Sequence, residues 1–280
     1  MASLSFIRFP GFKDKAVTLS YDDGTIQDKK LIEIMSRYGI KGTFNLCSGL
    51  FRTKEKDNKN MLTAEEAVSL YNAYDMEVAV HGYNHCSLAK IAPDLAVNDV
   101  VKDRSNLEKL FGRVIKGMAY ANGSYNESVV EMLKACGINY ARTTISTEKF
   151  FIPTDWLRLP ATAHHNNPRL MELADNFLNK PPVGYFWSDD ARLFYLWGHS
   201  IEFESNNNWC VIEDFCKFIG GRQDVWYATN GEIYEYITAF NRLEFSIDGT
   251  YVYNPSSIDV FIRYLNEKNY VIPAGKTIQL

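Results

Sequence analysis

The chain has 280 residues, of which 46% are hydrophobic and 23% are charged, and its formal net charge is −4 at pH 7. This length supports one large domain or two small ones, and the apolar fraction suffices for a sizeable core. Because the net charge is negative and no basic patch stands out, the composition argues against nucleic acid as a partner. No apolar run approaches the roughly 20 residues of a membrane-spanning helix, so no membrane span is predicted.

The cysteines and the first residues bear on the compartment. Five cysteines are scattered without a Cys-x-x-Cys pair, which predicts reduced thiols and no disulfide framework. The stretch from Met1 to Arg8 lacks the apolar segment of a signal peptide, so a cytoplasmic location is expected. A secreted protein trimmed of its signal would show the same sequence.

Strands and helices alternate through the first half of the chain. Helices are recognised by apolar residues at i, i+3, i+4 and i+7, by caps and by glycine stops, and strands by short apolar runs. The predicted order is strand 16–20, helix 26–38, strand 43–47, a helix from the capping box at Thr63 to Tyr74, strand 77–80, a helix from Pro93 to its stop at Gly112, strand 114–120, a helix capped by Asn126, and strand 138–143.

The second half is less regular. Residues 144–191 show little periodicity and hold five prolines, which predicts loops and a short helix over one face of a barrel. Strand 193–197, helix 208–219, strand 225–228 and a capping box at Thr229 follow, and a hairpin is predicted for 243–253 around Asp248-Gly249. With no internal repeat or linker, residues 1–280 are expected to form a single catalytic domain.

Chemically active side chains follow the predicted strands. Strands alternating with helices predict an α/β fold of mostly parallel strands joined by right-handed crossovers. Asp22 and Asp23, the pair His81 and His85, Asn122, and His199 all come directly after such strands. In a parallel barrel, the carboxyl ends of the strands form one rim where catalytic side chains gather. Positions far apart in the sequence are therefore expected to converge on one site.

The residue types at these positions are typical of a metal centre. Carboxylate and imidazole form a first shell for a divalent transition metal, and a second carboxylate beside the metal can act as a base. The spacing His81-x-x-x-His85 is a weak signal alone, since about one chain in ten with five histidines holds such a pair by chance. Its position after a strand strengthens it, and the arrangement predicts a metal-activated water and therefore a hydrolase.

These motifs resemble those of the polysaccharide deacetylases, the NodB-homology carbohydrate esterases of family 4 type. The first family motif is matched by Ser20-Tyr21-Asp22-Asp23-Gly24 and the second by His81 to His85. The tail of the third is matched by Gly123-Ser124-Tyr125-Asn126, and the last by Leu196-Trp197-Gly198-His199. The resemblance covers residues 16 to about 200 and implies a distorted (β/α)7-type barrel, here with an extra C-terminal β-hairpin.

The resemblance also implies roles. Asp23, His81 and His85 would hold the metal, most commonly zinc, with cobalt or nickel as alternatives. Asp22 would be the general base and His199 the general acid, and the backbone N–H near Asn122 would help to hold the oxyanion. The implied reaction is removal of acetyl groups from N-acetylated sugars or polysaccharides, so a carbohydrate is the expected partner; the oligomeric state is not predicted.

The third motif departs from the family pattern. Ala119 stands where the family has the arginine that orients the base, and Arg158 is our candidate substitute, with a solvated arginine as the alternative. In the same stretch, Asp155-Trp156 resembles the family's fourth motif, which implies that Asp155 would hold His199 and that Trp156 would line the sugar groove. Tyr120 and Trp197 are further candidate substrate contacts, although core packing explains them equally well. His164 and His165 are expected to contact substrate or to lie on the surface rather than to bind metal.

Other functions remain open at this point. An O-acetyl esterase acting on plant glycans, or a cyclic amidohydrolase, would keep the metal and change the bond that is cleaved. A carbohydrate-binding pseudoenzyme is suggested by Ala119. Against it stand the intact Asp22, Asp23, His81, His85 and His199, because a site that has lost catalysis normally loses metal ligands as well.

Overall fold

The computed structural model of the protein describes residues 5–180, 191–264 and 268–280. Labelled in chain order, its strands are β1 (Ser5–Arg8), β2 (Lys15–Asp23), β3 (Gly42–Leu46), β4 (Glu77–Val80), β5 (Gly117–Ala119), β6 (Tyr140–Ser146), β7 (Leu159–Ala161), β8 (Ala163–His164), β9 (Arg192–Gly198), β10 (Val225–Tyr227), β11 (Glu244–Phe245), β12 (Tyr251–Tyr253), β13 (Val260–Tyr264), β14 (Asn269–Ile272) and β15 (Thr277–Gln279). Its helices are α1 (Asp28–Arg37), α2 (Ala64–Ala73), α3 (Pro93–Phe111), α4 (Glu127–Ala135), α5 (Leu170–Asn179), α6 (Ser200–Ser205), α7 (Trp209–Ile219) and α8 (Asn230–Asn241).

The main sheet is parallel and closes on itself. Its strands lie in the order β7-β6-β5-β4-β3-β2-β9-β8, and β10 pairs with the first residues of β2. β7 pairs with β6 at one edge, while β8 pairs with β9 at the other. Only Thr162 separates β7 from β8, so one short segment joins the two edges. The predicted α/β barrel is therefore confirmed, and all the parallel strands present their carboxyl ends to one rim.

Strand β2 shows how the barrel is packed. Val17, Leu19 and Tyr21 lie in the large core cluster with residues of α1 and α7, on the helix-covered side of the sheet. Because successive side chains alternate, Ser20 and Asp22 point to the opposite, interior face. Every residue from Lys15 to Asp22 is buried, as expected for a parallel strand covered on both sides. The last residues of this strand therefore bring Asp22 and Asp23 to the rim.

Local signals set most of the element boundaries. Both predicted capping boxes are present, at Thr63 with Glu66 and at Thr229 with Glu232. Helix α3 begins at Pro93 and ends before Gly112, whose φ of 64° is left-handed and suits glycine. No helix within the described parts of the chain has the length and apolar character needed to cross a membrane.

The aperiodic region contains more structure than predicted. Residues 144–180 hold the end of β6, the short strands β7 and β8, and the ten-residue helix α5. The ladder between β6 and β7 shifts register, so these pairs leave no regular alternation in the sequence. The predicted C-terminal hairpin is present as β11 and β12, and β15 extends it to the three-stranded sheet β11-β12-β15. A separate antiparallel sheet is formed by β1, β13 and β14.

Candidate active site

The rim brings together the aspartates and three of the histidines. Asp23 Oδ1 lies 3.6 Å from His81 Nε2 and 3.5 Å from His85 Nε2. A tetrahedral zinc site with bonds of about 2.0–2.2 Å places its ligand atoms about 3.4 Å apart, so the three atoms already have the spacing of a metal site. The side chain of His81 is buried, whereas those of Asp23 and His85 are 26% and 30% exposed. The group is therefore open on one side, as a catalytic metal requires.

The hydrogen bonding of His81 is that of a metal ligand. Its Nδ1 lies 2.9 Å from the carbonyl oxygen of Ala119. Because a carbonyl oxygen only accepts, Nδ1 carries the proton and Nε2 keeps its lone pair for the site. Burial lowers the pKa of His81 and outweighs the opposing effect of Asp22 and Asp23. The imidazole is thus neutral, the form that binds metal.

Backbone conformation and helix α3 hold the histidine loop in place. Asp23, His85 and Asn122 adopt φ values of 80°, 55° and 56°, a left-handed conformation that is uncommon outside glycine and concentrates at functional sites. Two carboxylates of α3 hold the loop, because Asp103 accepts from the backbone N–H of His81 at 3.2 Å and Asp99 accepts from that of Asn84 at 2.9 Å.

A second cluster, His164, His165 and Glu202, also has ligand atoms close together. Here the carboxylate already accepts from His165 Nε2 at 3.0 Å and from Asn166 Nδ2 at 2.6 Å. Nδ1 of His165 has no partner in the described part of the chain, and a metal-binding histidine normally donates its second N–H. The hydrogen bonding of this cluster therefore fits a carboxylate anchor better than a metal centre.

Asp22 is buried beside the three candidate metal ligands, Asp23, His81 and His85. Its Oδ1 accepts from Asn45 Nδ2 at 2.8 Å, and its Oδ2 pairs with the guanidinium of Arg142. Burial by itself would raise the pKa of Asp22, but the charge and the hydrogen bond of the Arg142 guanidinium oppose burial, and the pKa falls to about 2. Asp22 is therefore ionised at neutral pH and able to accept a proton.

The prediction that Arg158 replaces the missing arginine is wrong. Arg158 pairs with Asp155 at 2.7 Å and with Glu127, and these contacts are solvent-exposed. The arginine that reaches Asp22 is Arg142 on β6. Sequence reasoning missed it because it treated 138–143 only as a strand, although a charged residue inside a parallel strand that is covered on both faces is itself a signal of a buried ion pair.

The prediction that Asp155 holds His199 is also wrong. Asp155 caps the short turn after it by accepting from Leu157 N at 3.1 Å. Glu202, one turn after His199, accepts from His199 Nδ1 at 2.8 Å. Burial lowers the pKa of His199, but the hydrogen bond to Glu202 and the charge of Asp22 outweigh it, and the pKa is raised overall. The Nε2 atom of His199 lies 3.8 Å from Asp22 Oδ2 and faces the site.

The remaining candidate residues are placed differently. The ring of Trp197 lies 6.0 Å from that of His199, at the site. Tyr120 is buried and its hydroxyl donates to Leu157 O at 2.8 Å, whereas Trp156 packs edge to face on Tyr234 at 5.1 Å. Asn122 is exposed at the rim, and its amide donates to Ser87 Oγ at 3.1 Å. Tyr120 and Trp156 therefore contact neighbouring parts of the protein in a packing role.

Comparison with known protein families gives a match over the first half of the chain. Residues 10–141 match the family model described as polysaccharide deacetylase, just under half of the chain. This region contains Asp22, Asp23, His81, His85 and Asn122 but ends before His199. The match confirms, for that region, the resemblance drawn from the motifs. A comparison with curated proteins found no match.

Solved structures share the fold at low identity. A candidate polysaccharide deacetylase from Mycobacterium smegmatis is 16% identical with a TM-score of 0.60, over 86% of this chain and 96% of that one. The Xyl-CE4 domain of a xylanase from the hindgut metagenome of Trinervitermes trinervoides is 16% identical, with a TM-score of 0.52 over 80% and 92%. A family 4 acetyl xylan esterase from Clostridium thermocellum, solved with a cobalt ion, is 13% identical, with a TM-score of 0.51 over 79% and 90%. The chain spans 55% of the deacetylase PplD of Streptococcus pyogenes, at a TM-score of 0.42 with 45% of this chain covered and 23% identity.

Proposed function

We propose that this chain, whose residues 10–141 match the polysaccharide deacetylase family, is a metal-dependent hydrolase that removes acetyl groups from N-acetylated sugars or polysaccharides. One observation carries the proposal. Three potential metal ligands, an ionised carboxylate and a histidine with a raised pKa face the same space at one rim of the barrel. Metal-assisted hydrolysis needs these parts together.

The metal would be held by Asp23, His81 and His85. Two imidazoles and a carboxylate suit zinc, and cobalt and nickel accept the same donors. When bound, the ion would polarise the acetyl carbonyl and increase the acidity of water. His81, directly after β4, is oriented before binding, because its Nδ1 is held by a hydrogen bond to Ala119 O.

Asp22 would act as the general base. Its carboxylate is ionised, is held on one oxygen by Asn45, and lies 3.8 Å from His81 Nε2. Hydrolysis of an acetamido group adds the elements of water across the C–N bond, so one proton leaves water and one reaches nitrogen. A carboxylate fixed beside the metal ligands is placed to take the first of these protons.

His199 would act as the general acid. Its Nε2 faces Asp22 Oδ2 across 3.8 Å, while its Nδ1–H is held by Glu202. The raised pKa favours the imidazolium, which can deliver a proton to a departing amine. An amine leaves poorly without that proton, whereas a good alkoxide or aryloxide leaving group needs it less. A supported acid is the feature that favours an N-acetyl substrate.

The test combines metal analysis with acetate release. The protein is prepared with zinc, cobalt or nickel, its metal content is measured by plasma mass spectrometry, and acetate is quantified from N-acetylglucosamine oligomers and from O-acetylated xylan. One ion per chain with acetate release from the N-acetyl sugars is expected. Release from the xylan alone would make the protein an esterase, and stoichiometric metal with glycan binding but no release would make it a pseudoenzyme; either result overturns the proposal.

A further inference from the structure

We propose that Arg142 is the positioning residue of the base Asp22 and that it does from β6 what the family's third motif would do from position 119 on β5. The inference rests on the proposed function, since it concerns the base of that reaction. It is carried by the register of the barrel, by the contacts of the guanidinium and by the small residues around it.

The register makes the two positions neighbours. Ala119 is the direct partner of Arg142 in the β5–β6 ladder. Residues paired in this way project from the same face of the sheet. Because Arg142 contacts Asp22, an interior residue of β2, that shared face is the interior of the barrel. An arginine at either position would therefore enter the same interior space.

Alanines leave that space free. Asp22 pairs with Asn45 on β3, and Asn45 pairs with Ala79 on β4. Ala79 and Ala119 are both fully buried, so β4 and β5 contribute only methyl groups near this level of the interior, beside the Asn45 amide of β3. The fully buried side chain of Arg142 can then cross to β2. The small side chain at position 119 thus leaves the interior space that the long side chain of Arg142 fills.

The guanidinium is held on three sides. It pairs with Asp22, its Nη1 donates to Thr143 O at 3.2 Å, and its Cζ lies 4.4 Å from the ring centroid of Trp197. The indole of Trp197 is itself held, because its Nε1 donates to Ser146 Oγ at 3.3 Å. A planar guanidinium stacked on an aromatic face and paired with a carboxylate has little freedom to turn. With Asn45 on the other oxygen, both oxygens of Asp22 are fixed.

The test separates positioning from packing. Arg142→Gln is compared with wild type for kcat and KM of acetate release, for metal content and for the urea midpoint. We expect kcat to fall about 100-fold, KM to change less than about threefold, and one ion per chain to remain. In the double variant Ala119→Arg/Arg142→Ala, the arginine returns to β5 and should regain at least about tenfold in kcat over Arg142→Ala. A kcat within about threefold of wild type for Arg142→Gln, or no gain from the returned arginine, would overturn the proposal.

Arg192→Gln is the matched control. Arg192 is also a buried strand arginine near an aromatic ring, with its Cζ 5.6 Å from Phe177, but it lies at the opposite end of β9 from His199. Its loss should lower the urea midpoint and leave kcat within about twofold of wild type. This pattern is what a purely structural arginine would show at position 142.

A stability cycle covers the remaining outcomes. Asp22→Asn removes the negative charge that pairs with Arg142. In metal-free protein, Arg142→Gln should therefore lower the urea midpoint of the Asp22→Asn variant at most half as much as it lowers that of wild type. If Arg142→Gln does not fold, Asp22→Asn/Arg142→Gln should fold; failure of both would assign Arg142 to packing. If wild type releases no acetate at all, the proposed function fails, while this cycle still decides whether Arg142 acts through Asp22.

Discussion

Glu202→Gln tests the most specific feature of the site, the carboxylate behind His199. Glu202 accepts three hydrogen bonds, from His199 Nδ1 at 2.8 Å, His165 Nε2 at 3.0 Å and Asn166 Nδ2 at 2.6 Å. Glutamine has one acceptor oxygen instead of two. If the glutamine oxygen faces His199, the glutamine NH2 faces two other donors, His165 Nε2 and Asn166 Nδ2. If the side chain is turned the other way, the NH2 faces His199 Nδ1, which is also a donor. Either arrangement loses support for the imidazolium.

The size of the effect follows from the lost interaction. A hydrogen bond to a charged group contributes about 1.5–3 kcal/mol, and about 1.4 kcal/mol corresponds to a factor of ten in rate. We therefore expect kcat on an N-acetyl substrate to fall about 10- to 100-fold at neutral pH. The charge of Asp22 remains near His199 Nε2, at 3.8 Å, so part of the support survives.

The pH dependence has a defined sign. In the proposed reaction His199 acts while protonated. Because the hydrogen bond to Glu202 raises its pKa, we expect wild-type activity to fall as the pH rises through that raised value. Removing the carboxylate charge lowers this pKa, and the falling limb should move to lower pH. The assay is a pH–rate profile on an N-acetyl sugar beside an aryl acetate, with metal content as the control. An unmoved limb, or equal losses on both substrates, would refute the reasoning.

Four further outcomes are expected. His81→Ala should abolish zinc binding at stoichiometric metal in equilibrium dialysis, and full occupancy would remove His81 from the ligand set. Asp22→Asn should keep its metal and lose about 1,000-fold in kcat, whereas loss of metal would mean that Asp22 and Asp23 exchange roles. His199→Ala should cripple release from an N-acetyl sugar and largely spare an aryl acetate; equal losses would contradict an acid. Burial raises the pKa of Asp28 to about 7 from its ordinary 3.8, so the free energy of unfolding falls as the pH rises between these values. In urea titrations of metal-free protein, Asp28→Asn should therefore raise the free energy of unfolding by up to about 3 kcal/mol at pH 8 and change it little at pH 4. Equal effects at both pH values would contradict this explanation.

Local patterns predicted the first half of the fold well because its elements are set by short-range chemistry. Strand 77–80 and the start of α3 at Pro93 agree with the structure, and both capping boxes lie where the spacing placed them. Residues 144–180 were harder, since β7 and β8 comprise three and two residues and are stabilised by their neighbours β6 and β9. Pairs this short have no periodicity of their own.

The residue types at the rim can be read from the amino-acid sequence alone. Asp22 and Asp23 end one strand, and His81, His85 and His199 follow two others. Parallel strands bring their carboxyl ends to one edge whatever the loops between them do. The residues that support these side chains became apparent from the three-dimensional arrangement. The partner of Asp22 lies 120 positions away on β6, and it was identified by ladder register and an alanine-lined interior. Glu202, near His199 in sequence, was distinguished from Asp155 only by the direction in which its side chain points. Register and side-chain direction depend on how the whole barrel closes, and therefore no local pattern contains them.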